Sequence, residues 1–181
     1  IPLSTLLVAF ALLLLVSAFF SISETAMMAL NRYRLKHLTR TGHRGARLVS
    51  QLLERTDKLL GVILLGNNLA NTAAAALGTV IAFRALGESE LAVSIATGAV
   101  AFFLLVFSEV TPKVVGATYP ERVAFPAAFV LTPLLKLVYP LVWLVNGLSG
   151  ALLWLLRIRR QPAAEGAAPL SAEELRTLVL E

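Results

Sequence analysis

The chain has 181 residues, of which 57% are hydrophobic and 15% are charged, and its formal net charge is +5. Soluble domains are about 45–50% apolar and about 25% charged, so this composition excludes an ordinary water-soluble enzyme and a disordered chain, and the absence of cysteine excludes a disulfide scaffold and thiolate metal sites. Because the basic residues lie between apolar runs, as in the loops of membrane proteins, we expect a lipid bilayer as partner and no nucleic acid.

Charge-free stretches define the predicted membrane helices. No charged residue occurs in residues 1–23, 59–83, 91–108 or 137–156. A helix needs about 20 apolar residues to cross the hydrocarbon core of a bilayer. The first three stretches therefore predict transmembrane helices over about residues 3–28, 59–84 and 91–109.

The loop between the first two predicted spans, residues 31–58, carries eight basic and two acidic residues. Cytoplasmic loops are enriched in Lys and Arg, so we expect this loop to be cytoplasmic and the short acidic connection 87–90 to face the other side. This alternation places the N-terminus outside and, after three spans, the C-terminus in the cytoplasm.

Residues 126–156 are apolar but are interrupted by Pro126, Pro133 and Pro140. Proline breaks helices, and the Tyr and Trp residues of this stretch favour the headgroup level of a bilayer. We therefore expect short broken helices and a juxtamembrane helix that lies along the inner leaflet like a belt. An ordinary fourth span is the alternative, and it would place the basic tail after residue 156 outside.

The composition changes after Arg160. Residues 161–169 are rich in Ala, Pro and Gly, which is typical of a linker, and the spacing of Ser171 and Glu174 matches a helix capping box. We expect residues 1–160 to form one transmembrane domain, and residues 161–181 to be a linker and the start of a truncated cytoplasmic region.

The first polar cluster lies near the inner end of the first span. Ser17, Ser21 and Glu24 share one helix face, and Ser23 lies off that face unless the helix is locally broken. Polar groups in hydrocarbon usually face a bundle interior or a water-filled cavity. Alternatively, the serines donate to their own helix at the i−4 carbonyl and merely bend it.

The second cluster consists of Asn67, Asn68 and Asn71 within the second span. Asn67 and Asn71 share a helix face, and Asn68 lies on an adjacent one. Three amides in an apolar helix need partners. They are either ligands of an ion or hydrogen-bonding groups that hold helices together.

The third cluster ends the third span. Glu109 closes the apolar run, and Pro112 is expected to break the helix just after it. A broken helix frees backbone carbonyls beside a carboxylate, as in the cation sites of transporters. The alternative is a simple ion pair between Glu109 and Lys113.

Together the clusters offer carboxylate, amide and hydroxyl oxygens and no sulfur. Such ligands favour hard cations such as Mg²⁺, Ca²⁺ or Na⁺ over Zn²⁺ or copper. The sequence contains neither a phosphate-binding glycine loop nor a nucleophile with a matching base. We therefore predict a cation site and no enzyme.

Three motifs and their order resemble the CNNM/CorC family of magnesium transporters. The motifs are Ser21–Ala26 followed by Arg32–Leu35, then Gly66–Asn71, then Ser108–Lys113. Ser171–Glu181 looks like the family's entry into its CBS-pair domain. The resemblance covers nearly the whole chain.

The resemblance implies an all-α integral membrane protein, a homodimer whose subunits have three spans, a pair of short helices and a belt helix. It implies Mg²⁺ export across a bacterial inner membrane, driven by Na⁺ entry, and regulation by C-terminal cytoplasmic domains, whose CBS pair binds ATP. The Mg²⁺ ligands implied are Ser21, Ser23 and Glu109 with one or more of Asn67, Asn68 and Asn71. Glu24 is implied as a ligand, as a group behind the ligands or as part of the Na⁺ site.

Two other functions fit the same residues. A membrane-anchored sensor or scaffold would bind the cation only to set the state of its cytoplasmic domains, and would show binding without flux. A nonselective cation channel would show flux with no requirement for Na⁺.

Overall fold

The computed structural model describes residues 1–158, and all their regular elements are helical. The predicted linker and the predicted helix start at Ser171 lie outside the described residues. The elements, in chain order, are α1 (Leu3–Ala29), α2 (Arg32–Arg40), α3 (Arg44–Glu54), α4 (Thr56–Leu86), α5 (Glu90–Phe103), a π-helical segment (Leu104–Val110), α6 (Thr111–Thr118) and α7 (Pro120–Leu155).

The prediction of an all-α membrane protein is confirmed. Four helices are long and apolar enough to cross a bilayer, namely Leu3–Ala29, Thr56–Leu86, Glu90–Thr118 and Pro120–Leu155. The first three contain the three predicted spans. The fourth contains the predicted juxtamembrane stretch, and whether it lies along the bilayer or crosses it stays a prediction.

The expected interruption of residues 126–156 is wrong. α7 runs without a break from Pro120 to Leu155 and contains Pro126, Pro133 and Pro140 within its length. Each proline removes one backbone donor, but the prolines are seven residues apart, so the intervening turns keep their hydrogen bonds. In an apolar setting a continuous helix satisfies more backbone groups than a broken one.

The expected break at Pro112 is also wrong, although the helix is irregular there. α5 passes into the π-helical segment Leu104–Val110 and continues as α6, with Pro112 in the first turn of α6. The Thr111 N–H donates to the Val106 carbonyl, an i→i+5 bond. A π-helical turn accommodates an extra residue and rotates the side chains that follow it. The helix therefore continues through Pro112 without an interruption.

The basic loop 31–58 folds into an amphipathic helical hairpin, α2 and α3. Asn31 caps α2 by accepting from the backbone of Tyr33 and Arg34, and the His43 ring caps α3 by accepting from the Ala46 N–H. The apolar faces of the hairpin meet the end of α1, the start of α4 and the first half of α7. The fully buried side chains of this core include Met27, Val49, Leu59 and Leu131.

Two glycines set the close approach of the other helices to α1. A Cβ atom on Gly66 of α4 would lie 2.5 Å from the Phe20 ring, and one on Gly116 of α6 would lie 2.6 Å from the Ile22 carbonyl oxygen. Small residues allow such contacts between membrane helices. α4 and α6 therefore both pack against the C-terminal half of α1, where the first polar cluster lies.

The described residues divide into two units, Ile1–Val142 and a second unit that begins at Trp143. The candidate cation site and both clefts lie in the first unit. In the second unit, the described residues are the last turns of α7 and the turn that follows, in which Arg157 has a φ of 56°.

Candidate cation site

The centre of the candidate site is the hydroxyl of Ser17, which joins α1 to α4. Ser17 Oγ lies 2.6 Å from Asn67 Oδ1 and 2.6 Å from Asn71 Oδ1. A hydroxyl has one proton and can donate it to one amide oxygen at a time. Three oxygens therefore converge here with a single proton among them, which makes the point attractive to a cation.

The π-helical segment contributes Glu109 to the site. Asn71 Nδ2 donates to Glu109 Oε1 over 3.4 Å, and the Glu109 side chain is half-buried. Glu109 lies in the π-helical segment, whose irregular geometry determines where its carboxylate points. The predicted alternative was an ion pair between Glu109 and Lys113. Within residues 1–158 this ion pair does not form, and the ion pair found there joins Arg34 and Glu121.

Ser21 is one helical turn from Ser17, on the same face of α1. Its hydroxyl is completely buried and has no hydrogen-bond partner within the described part of the chain. Buried polar atoms without a partner are rare in folded proteins, and many of them contact a bound ion or an ordered water. Among the predicted ligands, Ser21 is therefore the one whose buried hydroxyl lacks a partner within residues 1–158 and is free to bind an ion or a water molecule.

Ser23 behaves differently from Ser21. It is also buried, but its hydroxyl donates to the Phe19 carbonyl oxygen over 2.6 Å. This is the back-bonding to the i−4 carbonyl that was the alternative for the serines of this cluster. In this structure Ser23 serves its own helix, and it would have to give up that bond to act as a ligand.

The structure leaves two predicted site residues away from this network. Asn68 is exposed on the outside of α4. Glu24 is half-buried and, together with Lys113, lines an open cleft of about 400 Å³ whose other walls are Thr25, Met28 and Ala29. Since Glu24 follows Ser21 by three residues on α1, the cleft lies next to the buried network on the side of the basic hairpin.

Two buried serines, Ser17 and Ser108, are absent from the predicted ligand set. Ser17 provides the hydroxyl that both asparagines contact, and buried Ser108 donates to the Leu14 carbonyl oxygen over 3.4 Å. The spacing of Ser17 and Ser21, four residues apart on one face, was the available signal for Ser17. Nothing in the sequence indicated which helix would face Ser108.

The chemistry of the site is that of oxygen donors. Within residues 1–158 there is no group of three or more His, Cys, Asp and Glu side chains that could hold a metal. The network of Ser17, Asn67, Asn71 and Glu109 has one carboxylate, two amide oxygens and one hydroxyl, and the Ser21 hydroxyl lies one turn away on α1. Oxygen donors of these kinds suit a hard cation. The chain is a multi-pass helical membrane protein with a cluster of oxygen-bearing side chains between three of its helical elements.

Residues 7–181 match the family described as Cyclin M transmembrane N-terminal domain, CNNM, and the chain belongs to this family. It is 48% identical over 166 residues to the UPF0053 inner membrane protein YfjD of Escherichia coli, and these residues cover 92% of this chain and 38% of the E. coli protein. It is 44% identical over 181 residues to a UPF0053 protein of Haemophilus influenzae, covering the whole chain and 42% of that protein.

A third relative has a functional name. The polyamine export protein of Salmonella typhimurium is 30% identical over 165 residues, which cover 81% of this chain and 35% of that protein. The chain spans about two fifths of the length of the first two relatives. The match is to a family of membrane domains and not to a known enzyme family.

Proposed function

We propose that this chain is the transmembrane core of a Mg²⁺ transporter. The observation that carries the proposal is the convergence of Ser17, Asn67, Asn71 and Glu109 between apolar helices. One turn away lies the Ser21 hydroxyl, which has no hydrogen-bond partner within residues 1–158. Mg²⁺ loses its water reluctantly and requires oxygen ligands in nearly octahedral geometry, at about 2.0–2.1 Å. A single carboxylate at low dielectric compensates part of the cost of dehydration.

We assign the residues different tasks. Ser21, Asn67, Asn71 and Glu109 are the proposed ligands, and Ser17 is added to them because it contacts both amides. Ser23 and Asn68 are not needed as ligands in this conformation. They would join the site only if α1 or α4 changed its local geometry.

The cleft beside Glu24 and Lys113 is the proposed entrance from the cytoplasm. Its position at the end of α1 that leads into the basic hairpin supports this assignment, since a basic segment is expected on the cytoplasmic side. Glu24 would attract a hydrated cation there, and Lys113 would oppose it. We place Glu24 in the path to the site or in the Na⁺ site, not among the Mg²⁺ ligands.

The direction and energy source are also proposals. We infer export of Mg²⁺ coupled to Na⁺ entry, by a homodimer in a bacterial inner membrane with its N-terminus outside and its C-terminus in the cytoplasm. The E. coli relative, whose name places it in the inner membrane, supports the location. We also propose that C-terminal cytoplasmic domains regulate this core, and that ATP binds to the CBS pair among them.

A polyamine is the second candidate cargo, because one relative is named as a polyamine export protein. A linear polyamine carries several separated ammonium groups and would need several separated acceptors. The network here has one carboxylate, which contacts the Asn71 amide, and that amide in turn contacts the Ser17 hydroxyl. This compact arrangement favours a small divalent ion.

The test is flux through the purified chain in sealed liposomes, with Mg²⁺, spermidine or neither in the lumen and with or without a Na⁺ gradient. We expect Mg²⁺ flux that requires Na⁺ and is abolished by Glu109→Gln. The matched control is Glu88→Gln, which removes an exposed carboxylate in the α4–α5 connection.

Each other outcome would contradict a stated part of the proposal. Spermidine flux alone would assign the polyamine function, and Mg²⁺ flux without Na⁺ would indicate a channel. Mg²⁺ binding without flux would indicate a sensor. Flux unchanged by Glu109→Gln would remove this site from the mechanism.

A further inference from the structure

A second cleft lies where the α3–α4 junction meets the middle of α7. Its volume is about 250 Å³, and it is lined by Arg55, Lys58, Leu135, Lys136 and Tyr139. Three of these five side chains are cationic, and none is acidic. The cleft is therefore a place where an anion would be stabilised.

The cations of this cleft have no acidic partner in the described part of the chain. The ion pair found there joins Arg34 to Glu121, neither of which lines the cleft. The acidic residues nearest in sequence, Glu54 and Asp57, do not line it either. Positive charges gathered without a counter-charge repel one another, and an anion bound among them would remove that repulsion.

Packing fixes the walls of the cleft. Lys58 Nζ lies 4.6 Å from the centroid of the Tyr139 ring, a cation–π contact between α4 and α7. One turn further along α4, a Cβ atom on Gly61 would lie 3.3 Å from Val142 of α7, so the two helices are close there. Two contacts between α4 and α7, one within the cleft and one beside it, therefore hold these helices together.

The position of the cleft indicates the kind of anion. Lys58 directly precedes the charge-free stretch 59–83, and Lys136 directly precedes the charge-free stretch 137–156, which has Tyr139 near its start. Lys and Tyr at the ends of apolar stretches lie at the level of lipid headgroups. Basic pockets between membrane helices on the cytoplasmic side bind anionic headgroups.

We propose that this cleft binds the phosphate of an anionic phospholipid from the cytoplasmic leaflet. Arg55, Lys58 and Lys136 would surround the phosphate, and Leu135 and the ring of Tyr139 would face the adjoining glycerol and acyl groups. A bound lipid would connect the start of α4 to the middle of α7. The proposal does not depend on which ion the protein transports.

The test is native mass spectrometry of the purified chain in detergent, titrated with dioleoyl phosphatidylglycerol, dioleoyl phosphatidylcholine or inorganic phosphate. The cleft variant combines Arg55→Gln, Lys58→Gln and Lys136→Gln. The matched control combines Arg40→Gln, Arg44→Gln and Arg47→Gln, which removes the same charge from exposed positions of the hairpin. Lys136→Gln alone, at an exposed position, keeps the test valid if the triple cleft variant does not fold.

We expect phosphatidylglycerol to bind in preference to phosphatidylcholine. The preference should fall roughly fivefold with Lys136→Gln and roughly 100-fold with the cleft triple variant, at about 1 kcal/mol for each charge near the headgroups, and should be retained by the control. An equal loss in the control, or no preference between the lipids, would overturn the proposal. Inorganic phosphate that displaces phosphatidylglycerol at equal concentration would show a site for free phosphate and would also overturn it.

Discussion

Asn71 of α4 contacts α1 with one end of its side-chain amide and the π-helical segment with the other end. Its Nδ2 atom lies 3.4 Å from Glu109 Oε1 in the π-helical segment, and its Oδ1 atom lies 2.6 Å from Ser17 Oγ. Under the proposed function, a cation bound at Glu109 would compete with the Asn71 amide for the same carboxylate. Cation binding would then be linked to the contacts between α1, α4 and the π-helical segment, as alternating access requires.

The first prediction concerns Asn71→Asp. This change places a second carboxylate beside Glu109, and like charges at that distance disfavour each other. We expect a loss of about 1–3 kcal/mol of stability without Mg²⁺ and a larger rise in Tm on adding Mg²⁺ than the unchanged chain shows. Thermal unfolding in detergent at several Mg²⁺ concentrations measures both.

Asn68→Asp is the matched control, since Asn68 is exposed on the same helix. It adds the same charge away from the network and should leave the Mg²⁺ dependence of the Tm unchanged. If both variants respond equally to Mg²⁺, the position of Asn71 beside Glu109 has no role in binding.

The second prediction compares Ser21→Ala with Ser23→Ala. Ser21 has no hydrogen-bond partner in the described part of the chain, so its loss should leave stability within about 0.5 kcal/mol while it weakens Mg²⁺ binding at least tenfold. Ser23 donates to the Phe19 carbonyl, so its loss should cost about 1 kcal/mol of stability with little effect on binding. Calorimetric titration and thermal unfolding separate the two effects, and the reverse pattern would exchange the roles of the serines.

The third prediction concerns the contact of α6 with α1. A Cβ atom on Gly116 would lie 2.6 Å from the backbone oxygen of Ile22, which cannot move away without shifting α1. We expect Gly116→Ala to cost about 1–3 kcal/mol by overpacking, measured as a lower Tm.

Gly98→Ala serves as its control, because a Cβ atom there would meet nothing within 4 Å. In the middle of α5 this change should be neutral or stabilise by up to about 1 kcal/mol. Equal Tm values for the two variants would mean that α6 does not pack on α1 as described.

The sequence predicted the long helices and several of the residues that meet between them. Charge-free stretches of sufficient length identify membrane helices because the bilayer core excludes charge. Asn71 and Glu109 are each expected in the interior of the bundle because polar groups in hydrocarbon need partners. The expected helices and the expected interior positions both follow from the cost of placing polar groups in hydrocarbon. That cost depends on which residues are present more than on the exact helix geometry.

Local geometry was predicted less well. The sequence pattern implied breaks at Pro112, Pro126, Pro133 and Pro140, where the structure has continuous helix. The missing donor of a proline can be absorbed by a π-helical turn or by neighbouring turns, and the sequence does not show which. Ser17 is missing from the predicted ligand set because its partners lie on another helix, 50 and 54 residues away.

We infer that the oxygen cluster between α1, α4 and the π-helical segment holds the transported divalent ion. A crystal structure with Mn²⁺, whose anomalous scattering locates the ion, tests this inference. We predict a peak within about 2.2 Å of a Glu109 carboxylate oxygen, close to the ligand distance of Mg²⁺, with oxygens of Ser21 and Asn71 completing the contacts. A peak confined to the cleft between Glu24 and Lys113, or the absence of any peak at Glu109, would contradict the account.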